Sequence, residues 1–254
     1  MTMGKNIDNQ YFEAYIRENL AVVSFKSGAF ELISSLDNSQ VMMDFIRDAE
    51  HEPSVKGLIL LNQPDCLGEL AYDHFIRSIL KEDDTLESKD YPVFLQKNTR
   101  FRQINILNKF IRFLSGYHKL VIVGMGYTMV TPFMGVALVA DMRLASPYGM
   151  FSLAHRQYGL HPSGAIPFFL THYLGHSKAI EIQLSDRISA EEAFRLGLIN
   201  QILPADNFTQ NCIRYIQPYL DNYRSTLSMT KRLNNFKHRW LQEYFDHESS
   251  LMNL

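Results

Sequence analysis

The stretch that decides the fold is LVIVGMGYTMVTPFMGVALVADMRLASPYGMFSLAHRQYGLHPSGA, residues 120–165. It joins a buried strand, a helix start and two histidines. Residues 120–140 carry no charge, and a run of this length is sufficient to span a bilayer. Two glycines and the Thr131-Pro132 pair break the run into a strand, a turn and a helix with Thr131 as N-cap. Mean hydropathy is −0.15, and no second such run occurs. The segment is therefore predicted to lie in the core of a globular protein.

Composition and charge exclude several classes of protein. The chain of 254 residues has a formal net charge of −2 and a pI near 6.5. No Lys/Arg-rich run occurs, so neither nucleic acid nor a membrane is expected as a partner. Cys66 and Cys212 stand far apart and outside any metal-binding motif, which favours reduced, packed thiols over a disulfide or zinc site. The first ten residues lack the apolar core of a secretory signal, so the expected location is the cytoplasm.

Strands and helices alternate in the first third of the chain. Apolar patterning predicts strands over 11–16 and 20–25, followed by a helix over 40–50. The order continues with a strand over 55–61 and a helix over 70–80, whose apolar face includes its first residue. We therefore expect repeated ββα units.

The next segments extend this pattern. Residues 81–98 are polar and lack a period, which is typical of a long loop or flap outside the core. A helix is predicted from an N-cap at Thr99 to Gly116. Short strands are predicted over 142–145 and 150–153, on either side of a turn.

The last quarter of the chain reads as helical. Ser189 to Glu192 form a capping box ahead of a helix that ends at Gly197. From Asp206 onward, helical patterning continues to the end of the sequence. The chain is therefore predicted to divide into a core over 1–204 and a helical region over 205–254.

Three motifs, in this order, resemble the crotonase (enoyl-CoA hydratase/isomerase) family. DMRLAS at 141–146 is similar to the family's DIRIAS, and YGLHPSGA at 158–165 is similar to its LGIIPGAG. ISAEEAFRLGLINQILP at 188–204 is similar to its RISAEEALRLGLVNRVVP. The resemblance implies an α/β fold, namely a crotonase-like spiral of ββα repeats with a C-terminal helical region that assembles a homotrimer or hexamer. It also implies a thioester of coenzyme A or of an acyl carrier protein as substrate, without a tightly bound cofactor or metal.

In this family two backbone N–H groups hold the thioester oxygen as it becomes an enolate. The resemblance places the first donor at Leu70, where the family's SAGAD is replaced by LGELA. The triglycine that carries the second donor is replaced by Val130-Thr131-Pro132 or by Thr131-Pro132-Phe133. Proline has no N–H. The second donor is therefore missing if Pro132 occupies the donor position and present if Thr131 does. We favour Thr131, although the Thr-Pro pair is also a good helix start and nothing more.

Hydratases of the family use two glutamates, and the resemblance places neither in this chain. The first falls at Met134 or Gly135 and the second at His155, so hydration by paired glutamates is not expected. His155 becomes the leading candidate for proton transfer, because imidazole titrates near neutrality. The alternative is a histidine that is only hydrogen-bonded within the core. We expect His161 to cap a turn rather than to line the pocket.

Two functions are compatible with these residues. The first is an enzyme that stabilises an enolate on an acyl thioester, of isomerase or decarboxylase type, with His155, Leu70 and Thr131 as its catalytic groups. Glu69 and Asp73, four residues apart on one helix face, offer a second proton carrier. The second function is a non-catalytic protein that binds an acyl thioester or a protein partner.

Overall fold

Two β-sheets surrounded by helices form the fold in the computed structural model, which describes residues 6–80 and 94–251. The larger sheet has seven strands, which lie in the order β1 (Ile7–Asp8), β2 (Phe12–Arg17), β3 (Leu20–Phe25), β4 (Gly57–Asn62), β5 (Leu120–Met125), β7 (Met142–Ala145) and β10 (Gln201–Ile202). The smaller sheet has three strands, which are β6 (Thr128–Val130), β8 (Met150–Ser152) and β9 (Arg187–Ser189). Most of the predicted loop over 81–98 lies outside the described residues.

Helices follow most strands. They are α1 (Ala29–Leu32), α2 (Leu36–His51), α3 (Glu69–Ile79), α4 (Lys97–Gly116), α5 (Phe133–Val139), α6 (Ile166–Leu174), α7 (His176–Gln183), α8 (Ala190–Arg195), α9 (Phe208–Leu220), α10 (Arg224–Asn234) and α11 (Leu241–Ser250). Two 3₁₀ segments span Ala154–Tyr158 and Asn235–Trp240. Within the described ranges no helix is long and apolar enough to cross a membrane.

The larger sheet is antiparallel at one edge and parallel from β3 onward. Val23 pairs with Leu60, and Leu60 pairs with Val123, in the parallel register that continues through β7 to β10. Parallel strands end at the same edge of a sheet, and ligands of α/β proteins bind outside those carboxyl ends. The segments that follow β3, β4 and β5 all begin at this edge.

Both faces of the central strands are buried. Leu20 and Val22 of β3 pack in a cluster with Cys212 of α9 on one face, whereas Ala21 and Val23 belong to the larger core on the other. This arrangement explains why the strands read as continuous apolar runs rather than as alternating patterns. Both cysteines are free and buried, as predicted.

The predicted α/β fold class is confirmed, and several local predictions need correction. Thr131 is not the N-cap of α5, because the helix begins at Phe133 with Pro132 in that position. Leu70 does not join the apolar face of α3, since its side chain is 67% exposed at the first turn. The helix predicted with Thr99 as N-cap begins three residues earlier, with Gln96 as N-cap. The predicted N-cap at Ser189 is confirmed, because its hydroxyl oxygen accepts from the Glu192 N–H at 3.2 Å.

Candidate active site

The structure brings the start of α3 and the end of β6 together. The Val130 N–H donates to the Leu67 carbonyl at 2.9 Å, which joins the loop before α3 to β6. Leu70 lies in the first turn of α3, where N–H groups have no acceptor within the helix. Across residues 6–80 and 94–251, no acceptor is found for the Leu70 N–H. The segments that carry Leu70 and Thr131 are thus in contact at Leu67 and Val130.

Thr131 is bound to the adjoining strand through both of its polar groups. Its N–H donates to the Ser152 carbonyl at 2.9 Å, and its hydroxyl donates to the same oxygen at 3.1 Å. An N–H that already has a backbone acceptor is not available to a thioester oxygen. The expectation that Thr131 supplies the second oxyanion donor is therefore wrong in this geometry.

His155 lies beside Thr131 in the 3₁₀ segment and is only 3% exposed. Its Nδ1 atom is 3.0 Å from the Thr131 hydroxyl oxygen. Because that hydroxyl donates to the Ser152 carbonyl, we assign the imidazole proton to Nδ1, which leaves a lone pair on Nε2. Burial, followed by the positive charges of His161, Arg156 and Arg100, lowers the pKa of His155 to about 4. At neutral pH the ring is therefore neutral with a bare Nε2, and it is a weaker base than a histidine of ordinary pKa.

The two carboxylates on α3 are committed to other partners. Glu69 accepts from the Ser152 hydroxyl at 2.6 Å and from the Arg187 guanidinium through both of its oxygens. Asp73 accepts from the Tyr158 hydroxyl. The hydrogen bond from Arg187 lowers the pKa of Glu69, and the hydrogen bond from Tyr158 lowers the pKa of Asp73. Both carboxylates are held in the ionised form, so neither suits the role of second proton carrier.

The start of α5 holds apolar atoms where hydratases of the family carry their first glutamate. Met134 is fully buried. Gly135 packs directly on the turn at Gly164, because a Cβ atom at Gly135 would lie 2.0 Å from the Gly164 carbonyl oxygen. Met134 thus presents an apolar side chain, and Gly135 has no room for any side chain.

A cavity of about 520 Å³ opens beside α3 at the carboxyl edge of the sheet. Its lining includes Ser27 and Phe30 after β3, and Leu70 and His74 on α3. Ligand sites in proteins commonly have this size. Among the residues that the structure describes, no group of three or more metal-ligating side chains is found.

Three buried residues near His155 were missed by the sequence reasoning, namely Arg100, Gln103 and Glu248. The signal for Arg100 was present, because residues four, seven and eleven positions further along α4 are apolar and share its helix face. The same signal was present for Gln103, which Leu107, Phe110 and Leu114 follow at those offsets, and for Glu248, which Leu241 and Phe245 precede by seven and three residues. The structure also leaves the predicted turn cap, His161, with a buried Nε2 that has no hydrogen-bond partner among the described residues.

Comparison with known proteins identifies the family. The profile of the enoyl-CoA hydratase/isomerase family matches residues 117–253, more than half of the sequence. The chain therefore belongs to the enoyl-CoA hydratase/isomerase family. A probable enoyl-CoA hydratase of Mycobacterium tuberculosis is 31% identical over 133 residues, which cover 52% of this chain and 47% of that protein. The match thus spans about half the length of this relative. A probable enoyl-CoA hydratase from Mycobacterium leprae is 27% identical over 221 residues, which cover 76% of this chain and 73% of that protein.

Solved structures share the fold over nearly the whole chain. An enoyl-CoA hydratase from Bacillus halodurans aligns with a TM-score of 0.73 and 18% identity, over 94% of this chain and 92% of its own. A monofunctional enoyl-CoA isomerase from M. smegmatis aligns with a TM-score of 0.64 and 21% identity, over 94% and 95%. At these identities the likeness establishes the fold alone.

Proposed function

We propose that this protein forms an enolate on an acyl thioester of coenzyme A or of an acyl carrier protein, as an isomerase or decarboxylase rather than a paired-glutamate hydratase. The observation that carries the proposal is the neutral, buried His155, whose ring is fixed by Thr131. The hydrogen bond from the Val130 N–H to the Leu67 carbonyl joins the loop before α3, which leads to the Leu70 N–H, to the residue before Thr131.

In the proposed reaction the thioester oxygen accepts a hydrogen bond from the Leu70 N–H. When the α-carbon loses its proton to His155 Nε2, the electron pair of the broken C–H bond forms the enolate and places negative charge on that oxygen. Return of the proton to another carbon gives an isomer. Loss of CO₂ from a carboxylated α-carbon leaves the same enolate, which then takes up a proton. One preorganised N–H donor contributes about 3–4 kcal/mol to such a transition state.

The carrier, the assembly and the location complete the proposal. The 520 Å³ cavity beside Leu70 receives the carrier arm of the thioester. The helical region over 205–254 mediates a homotrimer or hexamer, and apolar side chains beyond α9 support this role, since Tyr223 is 84% exposed and Leu233 is 77% exposed. The cytoplasm remains the proposed location.

One observation favours the second candidate function, a non-catalytic protein that binds an acyl thioester or a protein partner. The Thr131 N–H is occupied by the Ser152 carbonyl, so of the two expected oxyanion donors only the Leu70 N–H is without an acceptor among the described residues. A single donor stabilises an enolate less than a pair does. Slow or absent turnover with retained thioester binding is the result that this alternative predicts.

Exchange of the α-hydrogens in D₂O separates the two functions, because exchange reports enolate formation whatever the final product is. We expect the wild-type protein to incorporate deuterium into an acyl-CoA such as butyryl-CoA, and His155→Gln to slow exchange by about 10²–10⁴-fold. His176→Ala, at an exposed histidine of α7, is the matched control and is expected to match the wild-type rate. Binding without exchange across a panel of thioesters would instead support the non-catalytic function.

A further inference from the structure

A buried guanidinium without an ionic partner lies at the start of α4. Arg100 is 2% exposed. One of its nitrogens donates to the Gln103 Oε1 atom at 2.5 Å, and its guanidinium carbon lies 5.7 Å from the centre of the Phe94 ring. In the described part of the chain no carboxylate forms an ion pair with Arg100. Its charge is therefore balanced only by a neutral amide and an aromatic face.

An unpaired charge in a protein interior is costly. Burial lowers the pKa of Arg100, yet a guanidinium remains protonated in proteins, so it cannot escape the cost by losing a proton. Buried charges are normally paired or bound to a ligand. The buried arginine therefore indicates an anion that residues 6–80 and 94–251 do not themselves supply.

The carboxylate of Glu248, on α11, interacts electrostatically with Arg100 but forms no ion pair with that guanidinium. Its Oε1 accepts from the Gly164 N–H at 3.1 Å and its Oε2 from the Ala165 N–H at 3.0 Å. Both oxygens are thus directed at the backbone of the turn before α6. Burial also raises the pKa of Glu248 to about 7, which weakens it as a counter-ion.

Two further polar atoms near Arg100 have no partner. Gln103 is fully buried, and its Nε2 makes no hydrogen bond within the described residues. The Nε2 of His161 is likewise buried and unpartnered there. Burial is the main cause that lowers the pKa of His161 and of His155, and the charge of Arg100 lowers both further, so the two imidazoles lie near the guanidinium. Hydrogen-bond donors from α4 and from the segment before Gly164 therefore meet in one place.

The position of this cluster follows from the packing of α4. Leu107 on the same helix contacts the turn at Gly164, and the Pro132 carbonyl contacts that turn from the start of α5. Arg100 precedes Leu107 by seven residues, or about 10 Å along the helix axis. Arg100 thus lies on α4 before the part of the helix that packs against the turn at Gly164, and near enough to His155 for its charge to act on that ring.

We propose that Arg100, Gln103 and His161 form a subsite for a carboxylate at the far end of the acyl group, so that the preferred substrates are thioesters of dicarboxylic acids. The planar fork of a guanidinium matches the two oxygens of a carboxylate. This inference rests on the proposed function, because it requires the acyl thioester to occupy the site beside His155.

Matched ligands test the subsite. Dissociation constants are measured by calorimetry for malonyl-, succinyl- and glutaryl-CoA, each against the methyl-ended acyl-CoA of the same chain length. The carrier phosphates are identical within each pair, so a difference reports the acyl carboxylate alone. We expect the wild-type protein to bind at least one carboxylated ligand about tenfold or more tightly than its methyl-ended counterpart.

Variants on one helix complete the experiment. Arg100→Met is expected to bring the two affinities within about twofold of each other. Arg102→Met, at an exposed position of the same helix, is expected to keep the preference. If Arg100→Met does not fold, Gln103→Met takes its place, with an expected loss of about tenfold in preference. Equal affinities in the wild-type protein, or a preference that survives both variants, would overturn the subsite alone. Absence of binding to every CoA thioester would overturn the proposed function as well.

Discussion

The Thr131 hydroxyl oxygen and the His155 Nδ1 atom lie 3.0 Å apart in a region where both residues are at most 3% exposed. This contact has two effects on the imidazole of His155. It fixes the plane of the imidazole and, through the bond from the hydroxyl to the Ser152 carbonyl, determines which ring nitrogen carries the proton. The side chain of Thr131 is therefore a positioning group, although its N–H is not an oxyanion donor.

Thr131→Val removes the hydroxyl while it keeps nearly the same volume. The variant leaves the His155 Nδ1–H without its acceptor, and we expect α-hydrogen exchange to slow by about tenfold and unfolding free energy to fall by about 1–3 kcal/mol. Thr131→Ser retains the hydroxyl and is expected to keep most of the exchange rate. Exchange is followed by mass spectrometry and stability by urea titration. Equal rates for the valine and serine variants would contradict the positioning role.

Leu70→Pro removes one backbone N–H and tests the remaining oxyanion donor directly. Proline is tolerated in the first turn of a helix, and the leucine side chain is mostly exposed, so the fold is expected to persist. Exchange is expected to slow by about 10²–10³-fold, the usual effect of losing one such donor. Leu70→Ala changes the side chain but keeps the N–H, and it should exchange at close to the wild-type rate. A proline variant as fast as the alanine variant would eliminate this donor.

The lowered pKa of His155 predicts a pH dependence of stability. The folded-state pKa of about 4 lies below the ordinary value of 6.5, so the unfolded state binds more protons between these two values. The contribution of the neutral ring is present above pH 6.5 and is lost as the pH falls towards 4. We expect urea titrations to show a smaller loss over this window for His155→Gln than for the wild-type protein. Parallel curves would show that His155 has an ordinary pKa.

The raised pKa of Glu248 predicts the opposite change of stability with pH. Burial raises its folded-state pKa from 4.5 to about 7, so the folded state binds more protons between these values. Its contribution is present below pH 4.5 and is lost as the pH rises through 7. Relative to Glu248→Gln, the wild-type protein is expected to lose stability from pH 5 to pH 8 in chemical denaturation. A constant difference between the two proteins would place the Glu248 carboxylate in an ordinary, solvated environment.

Much of the fold could be read from the sequence because its signals are local. Central strands such as 20–25 are continuous apolar runs, and the N-cap at Ser189 satisfies the first turn of α8. The three-residue strands β6 and β9 were not predicted, since such short strands show no period and exist only through pairing with β8.

The site was harder to predict because its chemistry depends on contacts between distant segments. The sequence resemblance indicated Leu70, Thr131 and His155, and of these the structure joins Thr131 to His155 by a hydrogen bond. The sequence could not reveal that the Thr131 N–H donates to the Ser152 carbonyl, since that bond depends on the pairing of β6 with β8. Nor could it pair Glu248 with the turn at Gly164, which lies 84 residues away in sequence.

The central claim is that an acyl thioester binds with its oxygen on the Leu70 N–H and its α-carbon on His155. A crystal structure of the protein soaked with butyryl-CoA measures both contacts at once. The account predicts the thioester oxygen within about 3 Å of the Leu70 nitrogen, and His155 Nε2 within about 3.5 Å of the α-carbon. A thioester bound with its carbonyl remote from Leu70, or with His155 turned away from the α-carbon, would contradict it.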